Sequence, residues 1–316
     1  MDRSQVKYFF LALCLSLIFF IAGVAVPVAG VLFFPFVPQP VLFWGLKYGR
    51  MIGIGAPVAG GLLLLLTAGA DGALVYTVLA SMAVFLSLFL GRGWSIERIV
   101  AGTALGMAAL GGAVLWTFFG SLAALQRDVE TSLRANLNLS LRIYEKFGLT
   151  AESRELVEER LPQILELVIQ ILPAVVFAGL AVVILFNIVL LCRRLPELKG
   201  TLLPEADIKE WKAPDALVWF FIASGFFLFV AQEWGVRTVA LNALILTGLF
   251  YFFQGLAIVA YYFHRMNVPF LLRGLGYGLI VFEQLCTILV VGLGLFDLWG
   301  DFRRLNHKDL NPTQAA

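Results

Sequence analysis

The chain has few of the residues from which metal centres and disulfide frameworks are usually built. Its 316 residues include only three cysteines and two histidines. Cys14, Cys192 and Cys286 lie far apart and form no CxxC pair, which argues against a disulfide framework and against a zinc site. Two histidines are too few to indicate a histidine-based metal site. We therefore expect no metal and no soluble cofactor.

Charged residues are also scarce, and recognisable catalytic motifs are absent. Only 14% of the residues are charged and the net charge is +2, which does not indicate a nucleic-acid partner. The sequence contains no HExxH, no GxSxG, no P-loop and no GxGxxG after a strand. An intramembrane enzyme stays open, but nothing in the sequence gives a positive reason to name one.

Long uninterrupted hydrophobic runs take the place of such motifs. About 60% of the residues are hydrophobic, and several runs approach the ~20 residues that a helix needs to cross ~30 Å of hydrocarbon. Backbone groups have no water to bond inside a bilayer, so these runs must be helical. The sequence predicts an all-α, polytopic transmembrane helix bundle, with residues 1–316 as a single integral membrane domain in a lipid bilayer.

The number of membrane spans depends on the proline-rich start of the chain. Pro27, Pro35, Pro38 and Pro40 interrupt the first apolar block, because proline kinks or ends a helix. If that block forms two spans the total is nine, and otherwise it is eight. The predicted spans are Tyr8–Val26, a broken return near Leu46, Met51–Thr67, Ala73–Leu90, Ile99–Phe119, Leu172–Cys192, Pro214–Val230, Val239–Phe263 and Leu271–Leu298.

One long polar stretch, residues 121–163, separates the two groups of spans. Its apolar residues recur at helical spacing, Gly148 can end one helix, and Thr150 can cap a second. The stretch therefore predicts an extramembrane helical hairpin. It is either a solvated hairpin lying on the protein's own surface or a docking surface for a partner membrane protein.

Basic residues indicate how the chain is oriented. The link from Arg193 to Lys212 carries five of them, and the positive-inside rule places such a link in the cytoplasm. The hairpin at residues 121–163 then falls on the opposite side of the membrane.

Polar side chains inside the apolar runs are the candidate functional residues, because polarity at membrane depth is costly. Glu283 is the strongest candidate, since it lies well inside the last run and shares a helical face with glycines and Thr287. We expect this face to point into the bundle. The candidate ligand-binding residues are Glu283, Gln254, Tyr251, Asn187 and Asn242.

These polar residues have two interpretations. They line one cavity between helices, where small molecules usually bind in bundles, or they make hydrogen bonds between helices. The stretch from Asp297 to Arg304 is interpreted as an interfacial anchor, with Trp299 at headgroup depth and local acid–base pairing.

Three stretches carry a resemblance to a known family. They are Pro173-Ala-Val-Val-Phe through Phe186-Asn187, Phe253-Gln-Gly-Leu-Ala-Ile-Val with Tyr261 and Tyr262, and Gly294-Leu-Phe-Asp297 through Arg303. In these residues the chain resembles the YybS-like family of uncharacterised bacterial membrane proteins, a domain of unknown function. The resemblance implies a multi-pass protein of the bacterial cytoplasmic (inner) membrane, and it assigns no activity to individual residues.

The N-terminal region is distantly similar to the substrate-binding membrane subunits of vitamin-type transporters. Those subunits dock to an energising partner through an AxxxA pattern in the first helix. Here the first block offers only Ala25 and Ala29, with Pro27 between them. We expect an integral membrane protein that binds or transports a small molecule through a cavity in its C-terminal helices. The alternative is a non-catalytic scaffold or assembly factor for cell-envelope machinery.

Overall fold

A computed structural model describes residues 2–26, 30, 32–90, 92–146, 151–196 and 211–303. This part of the chain is helical throughout, with short connections. Several positions used above, including Pro27, Ala29, Gly148, Thr150 and most of the basic link 193–212, lie outside the described residues.

Eleven α-helices follow one another along the described chain, with a 3-10 turn at Phe34–Phe36 after the first. They are α1 (Arg3–Ala25), α2 (Pro38–Tyr48), α3 (Arg50–Thr67), α4 (Gly69–Phe89), α5 (Ile96–Phe119), α6 (Leu122–Lys146), α7 (Ala151–Arg194), α8 (Leu217–Val230), α9 (Trp234–Arg265), α10 (Phe270–Phe282) and α11 (Gln284–Gly300).

Six of these helices are long and apolar enough to cross a membrane, and a seventh crossing is added if the bent pair α10–α11 counts as one span. The eight or nine spans expected from the sequence are not confirmed. Two expected crossings are too short, because α2 has 11 residues and α8 has 14. At 1.5 Å per residue these lengths reach only about 17 and 21 Å.

The chain divides into two compact units. The first is formed by Met1–Glu159 and Gly179–Glu205, and the second by Arg160–Ala178 and Ala206–Ala316. Helix α7 therefore contributes residues to both. That residues 1–316 act as a single domain stays a prediction.

The core of the first unit is built around Tyr76 of α4. Its hydroxyl lies 3.1 Å from the Ser16 hydroxyl, which also donates a 2.8 Å hydrogen bond to the Val37 carbonyl. Tyr76 packs edge-on against Phe20, with ring centroids 5.4 Å apart. These contacts tie α1, the start of α2 and α4 together. The buried cluster comprises Leu17, Phe20, Val37, Leu64, Ala73, Tyr76 and Ala80.

The second unit is organised around α9, which packs against α11 at two glycines. A Cβ atom added to Gly255 would overlap the Val290 carbonyl, and one added to Gly294 would overlap the Tyr251 carbonyl. The two helix backbones are therefore in direct contact, as small residues permit in membrane bundles. This contact brings the polar face of α9 against α11.

Candidate functional site

The polar face of α9 is buried. Thr247, Tyr251 and Gln254 are spaced four and three residues apart, which places them on one side of the helix, and all three are buried. Thr247 donates its hydroxyl to carbonyls of its own helix. Within the described part of the chain, the Thr247 hydroxyl therefore makes no bond to another helix, and Tyr251 and Gln254 are the two candidate ligand-binding residues on this face.

Gln254 joins α9 to two other parts of the second unit. Gln254 is buried, with only 1% of its surface exposed. Its Oε1 atom accepts a hydrogen bond from the Ala213 backbone N–H at 3.1 Å, and its Nε2 atom donates to Oδ2 of Asp297 at 3.1 Å. The amide group is thus used at both ends to hold α9, α11 and the segment before α8 together.

Asp297 is the centre of this arrangement and has an acidic side chain that is 3% exposed. Its Oδ2 atom accepts a second hydrogen bond from Nη2 of Arg303 at 2.9 Å, and its Oδ1 atom accepts from the Phe302 N–H at 2.9 Å. Asp301 ends α11 in the left-handed conformation, with φ 36°. This turn lets the chain fold back so that Arg303 reaches Asp297.

Arg303 carries the connection to the segment before α8. Its side chain is fully buried, and its Nη1 atom donates to the Trp211 carbonyl at 2.9 Å. An ionised pair buried in this way is stable only with good geometry and further hydrogen bonds. We call Gln254, Asp297 and Arg303 the C-terminal polar network. It fixes the backbone of Trp211 and Ala213 against α9 and α11.

Tyr251 differs from its neighbours because its hydroxyl has no hydrogen-bond partner among the described residues, although it is buried. Its ring packs edge-on against Phe221 of α8, with centroids 5.6 Å apart. A buried hydroxyl without a partner is costly. Among the sequence-predicted candidates in the described second unit, it is the one with a buried polar atom that has no hydrogen-bond partner.

The Asn242 side chain bonds to backbone groups of α7 at a point where the hydrogen bonding of that helix is interrupted. Pro173 lies inside that helix and has no N–H to donate. The Asn242 side chain accepts a hydrogen bond from the Ala174 N–H at 2.8 Å and donates to the Gln170 carbonyl at 2.7 Å. Those two backbone groups would bond to each other in an uninterrupted helix. Asn242 therefore acts as a clamp between α9 and α7.

Asn187 belongs to the first unit, whereas the other four candidates belong to the second. Its Nδ2 atom donates to the Pro35 carbonyl at 3.0 Å and to the Val183 carbonyl at 2.9 Å. The neighbouring Phe186 ring packs edge-on against Phe36 at 5.2 Å. Asn187 thus fastens α7 to the proline-rich turn before α2.

Glu283 lies where the sequence did not predict it. The expected continuous span Leu271–Leu298 is broken into α10 and α11, which meet at an angle of 98°. Glu283 is the extended residue between them, with φ −103° and ψ 114°. Its side chain is exposed, so the expectation that it points into the bundle is wrong. In an unbroken helix Glu283 would lie on the same face as the glycines, and the break removes it from that face.

The hydroxyl of Thr287 stabilises this break. It donates to the Ile280 carbonyl at 2.5 Å and also lies 3.3 Å from the Glu283 carbonyl. The Ile280 carbonyl would bond to Gln284 in a continuous helix, and the bend removes that partner. Glu283 itself stands at the N-terminus of α11, where the helix dipole favours a negative charge.

Sequence reasoning missed Arg303 and Asp297 as members of a buried site. The local acid–base pairing expected within the stretch from Asp297 to Arg304 is present as the Asp297–Arg303 pair, but the pair is buried. The spacing of two residues could have indicated this burial. Asp297 follows Gly294 by three residues and therefore lies on the same side of α11, which faces α9. Trp299 lies on another face and is exposed, and its position at headgroup depth stays a prediction.

The described residues contain no group of three or more histidine, cysteine, aspartate or glutamate side chains that could hold a metal ion. Among the described residues of the second unit, hydrogen bonds and the Asp297–Arg303 ion pair use most of the buried polar atoms. A family model described as predicted membrane protein, DUF2232, matches residues 14–298. The chain belongs to this family. The matched range includes Gln254 and Asp297 and ends just before the turn that carries Arg303. No curated protein and no solved structure matches the chain.

Proposed function

We propose that this DUF2232 protein is a non-catalytic scaffold or assembly factor for cell-envelope machinery in the bacterial inner membrane, of the YybS-like type. One observation carries the proposal. The polar groups that would line a binding site in the C-terminal helices bond instead to the protein's own backbone. They are Gln254, Asn242 and Asp297. Because these side chains already bond to the backbone, we infer that their role is to position the helices.

The exposed side of the second unit supports a docking role. Phe282 is 88% exposed on one side of the Glu283 break, and Leu285 is 68% exposed on the other. A carboxylate between such residues favours a membrane helix that carries lysine or arginine, because an unpaired charge beside apolar surface is costly. The partner proposed here is therefore a membrane protein with a basic residue facing Glu283.

The polar hairpin is a second contact surface under the same proposal. Helix α6 carries Leu125, Val129 and Leu133 half-buried on one stripe, with charged residues around it. With the basic link 193–212 in the cytoplasm, this hairpin lies on the far side of the membrane. It would hold an extramembrane part of the partner.

Site-specific photo-crosslinking in living cells tests the docking surface. A photoreactive amino acid replaces Phe282 or Leu285, and Phe229 of α8 serves as the control because it is 94% exposed. We expect a discrete protein adduct at the two positions beside the break and only lipid adducts at residue 229. Adding Glu283→Gln should weaken the adduct. Lipid adducts alone at all three positions would contradict the proposal.

A second candidate function, binding or transport of a small molecule, rests on Tyr251. Its buried hydroxyl without a described partner lies on the same helix face as Gln254. A set of amino acids, nucleosides and vitamins can be screened for compounds that raise the unfolding temperature of the purified protein. This function requires a compound whose effect is lost in Tyr251→Phe and kept in Tyr261→Phe. An empty screen would leave the scaffold as the better supported function.

A further inference from the structure

Four basic side chains gather where α1 begins, α2 ends and α3 begins. Arg3 and Lys7 belong to the first turns of α1, Lys47 to the last turn of α2, and Arg50 to the first turn of α3. All four are exposed. None of them forms an ion pair with a described residue of the chain.

One hydrogen bond shows that these helix ends lie together. The Gln5 side chain donates to the Tyr48 carbonyl at 3.2 Å, which holds the start of α1 against the end of α2. Only Gly49, with φ 115°, separates Tyr48 from α3. Gly45 and Gly53 also bring the backbones of α2 and α3 into contact, since a Cβ on Gly45 would overlap Gly53. The start of α3 is therefore held beside the start of α1.

An aromatic stack supports the lysines in this group. The Tyr8 ring stacks on Trp44 at 4.5 Å and on Tyr48 at 4.0 Å between centroids. The Nζ atom of Lys7 lies 5.7 Å from the Tyr8 ring centre, and that of Lys47 lies 5.9 Å from the Tyr48 ring centre. Cation–π contacts of this kind hold the ammonium groups without neutralising them.

Acidic residues are scarce in the stretch of sequence that forms these helices. Asp2 is the only acidic residue before Asp71 in the sequence. Its carboxylate caps α1, accepting hydrogen bonds from the Arg3 N–H and the Ser4 hydroxyl. A tyrosine side chain is uncharged near pH 7, and the hydrogen bond with the Tyr8 side chain raises the pKa of Tyr48 further, so this phenol adds no negative charge. The N-termini of α1 and α3 add their positive dipole ends.

The location of this group determines the kind of anion that it fits. Helices α1 and α3 are both candidate membrane spans, so their first turns lie at a membrane surface, where tyrosine and tryptophan are also enriched. Phe10 and Met51, close to the basic residues along α1 and α3, are exposed apolar side chains. A ligand here meets cations at one level and apolar surface directly below.

We propose that Arg3, Lys7, Lys47 and Arg50 form a binding surface for the phosphate headgroup of an anionic phospholipid. The lysines and arginines bind the phosphate, the stacked rings lie at headgroup depth, and the acyl chains extend along the exposed apolar faces of α1 and α3. This inference is independent of the proposed scaffold function.

Native mass spectrometry of the delipidated full chain in detergent tests the proposal. The protein is titrated with phosphatidylglycerol or with phosphatidylcholine. The test variant is Lys7→Gln with Lys47→Gln. The matched control is Arg92→Gln with Arg98→Gln, which removes two exposed charges at the end of α4 and the start of α5. Arg92 is a close match because it also lies over aromatic rings, 5.8 Å from the centres of Phe89 and Trp94.

We expect the unaltered chain to bind phosphatidylglycerol more tightly than phosphatidylcholine. Because each basic residue near an anionic surface contributes on the order of 1 kcal/mol, losing two should weaken phosphatidylglycerol binding roughly 5- to 30-fold. The control should keep its affinity. Equal affinity in the test variant and the unaltered chain, or an equal loss in the control, would overturn the proposal.

Two further measurements keep the result interpretable. If the lysine variant unfolds at a lower temperature in detergent alone, Arg3→Gln with Arg50→Gln replaces it, because neither arginine is part of a described cation–π contact. Inorganic phosphate is added as a competitor. Displacement of phosphatidylglycerol by phosphate at similar concentrations would overturn the lipid assignment in favour of a soluble anion.

Discussion

Nη2 of Arg303 lies 2.9 Å from Oδ2 of Asp297, and both side chains are shielded from solvent. The same carboxylate also holds Gln254, and the same guanidinium holds the Trp211 carbonyl. A pair of charges buried in this way constrains every helix that it contacts.

Asp297→Asn should strongly destabilise the protein. The substitution keeps the shape of the side chain but leaves the Arg303 charge buried without a counter-ion, which costs about 3–5 kcal/mol of unfolding free energy. Thermal unfolding in detergent micelles measures the loss. Glu130→Gln is the control, because the Glu130–Arg134 pair is about half exposed and such pairs contribute less than about 1 kcal/mol. Equal losses in the two variants would show that burial does not determine the effect.

Asn242→Leu should destabilise the region around Pro173. The leucine leaves the Ala174 N–H and the Gln170 carbonyl without the amide that bonds them, at about 1–3 kcal/mol for each buried group left unpaired. Hydrogen exchange should become faster in α7 near residue 174. Asn136→Leu is the matched control, since the hydrogen bond that the structure describes for that exposed amide is to the Ser132 carbonyl of its own helix. Unchanged exchange in the Asn242 variant would count against the clamp.

Gly294→Ala should separate α11 from α9, and Gly292→Ala should not. A methyl group on Gly294 meets the Tyr251 carbonyl, whereas one on Gly292 meets nothing within 4 Å. Overpacking of this kind costs about 1–3 kcal/mol or more, while alanine at position 292 removes a glycine from a helix interior and is neutral or stabilising. The two unfolding temperatures provide the test. Similar temperatures for the two variants would contradict the close contact.

Thr287→Val should straighten the α10–α11 pair. Valine cannot donate to the Ile280 carbonyl, and a continuous helix would supply that carbonyl with the Gln284 N–H. Spin labels at the exposed positions Leu275 and Leu289, in a chain with its three cysteines replaced, report the change. The distance should lengthen toward the ~21 Å of fourteen helical residues.

Thr238→Val is the control for this distance measurement, because the Thr238 hydroxyl bonds only to its own helix, at the Trp234 carbonyl. A label distance that stays at the value of the unaltered chain in Thr287→Val would show that the threonine does not hold the bend.

The sequence predicted most helices correctly because apolar runs of span length have one backbone solution in a bilayer. Helices α1, α3, α4, α5 and α9 all follow such runs. The break at Glu283 was not predictable by the same reasoning. Phe282, Glu283 and Gln284 include neither proline nor glycine, and the hydroxyl that stabilises the bend comes from Thr287, a residue that also fits a straight helix.

The candidate site was predictable only in part, for a different reason. Gln254, Tyr251 and Asn242 could be identified because they are polar residues in an apolar run. Their bonding partners could not, since the Ala213 N–H and the Trp211 carbonyl are backbone groups without a sequence signature. Arg303 reaches Asp297 only through the left-handed Asp301, a conformation that aspartate adopts more readily than most residues but does not require.

The order of synthesis adds a constraint on how the second unit reaches its final state. Trp211 leaves the ribosome ninety-two residues before the arginine that binds its carbonyl. Within that interval the membrane must accommodate Gln254 before Asp297 is made, and then Asp297 before Arg303 is made. The C-terminal polar network is therefore completed last, when Arg303 binds Asp297 and the Trp211 carbonyl in helices that are already inserted. A ribosome stalled before Arg303 should leave a membrane-inserted chain that quality-control proteases recognise as unfinished.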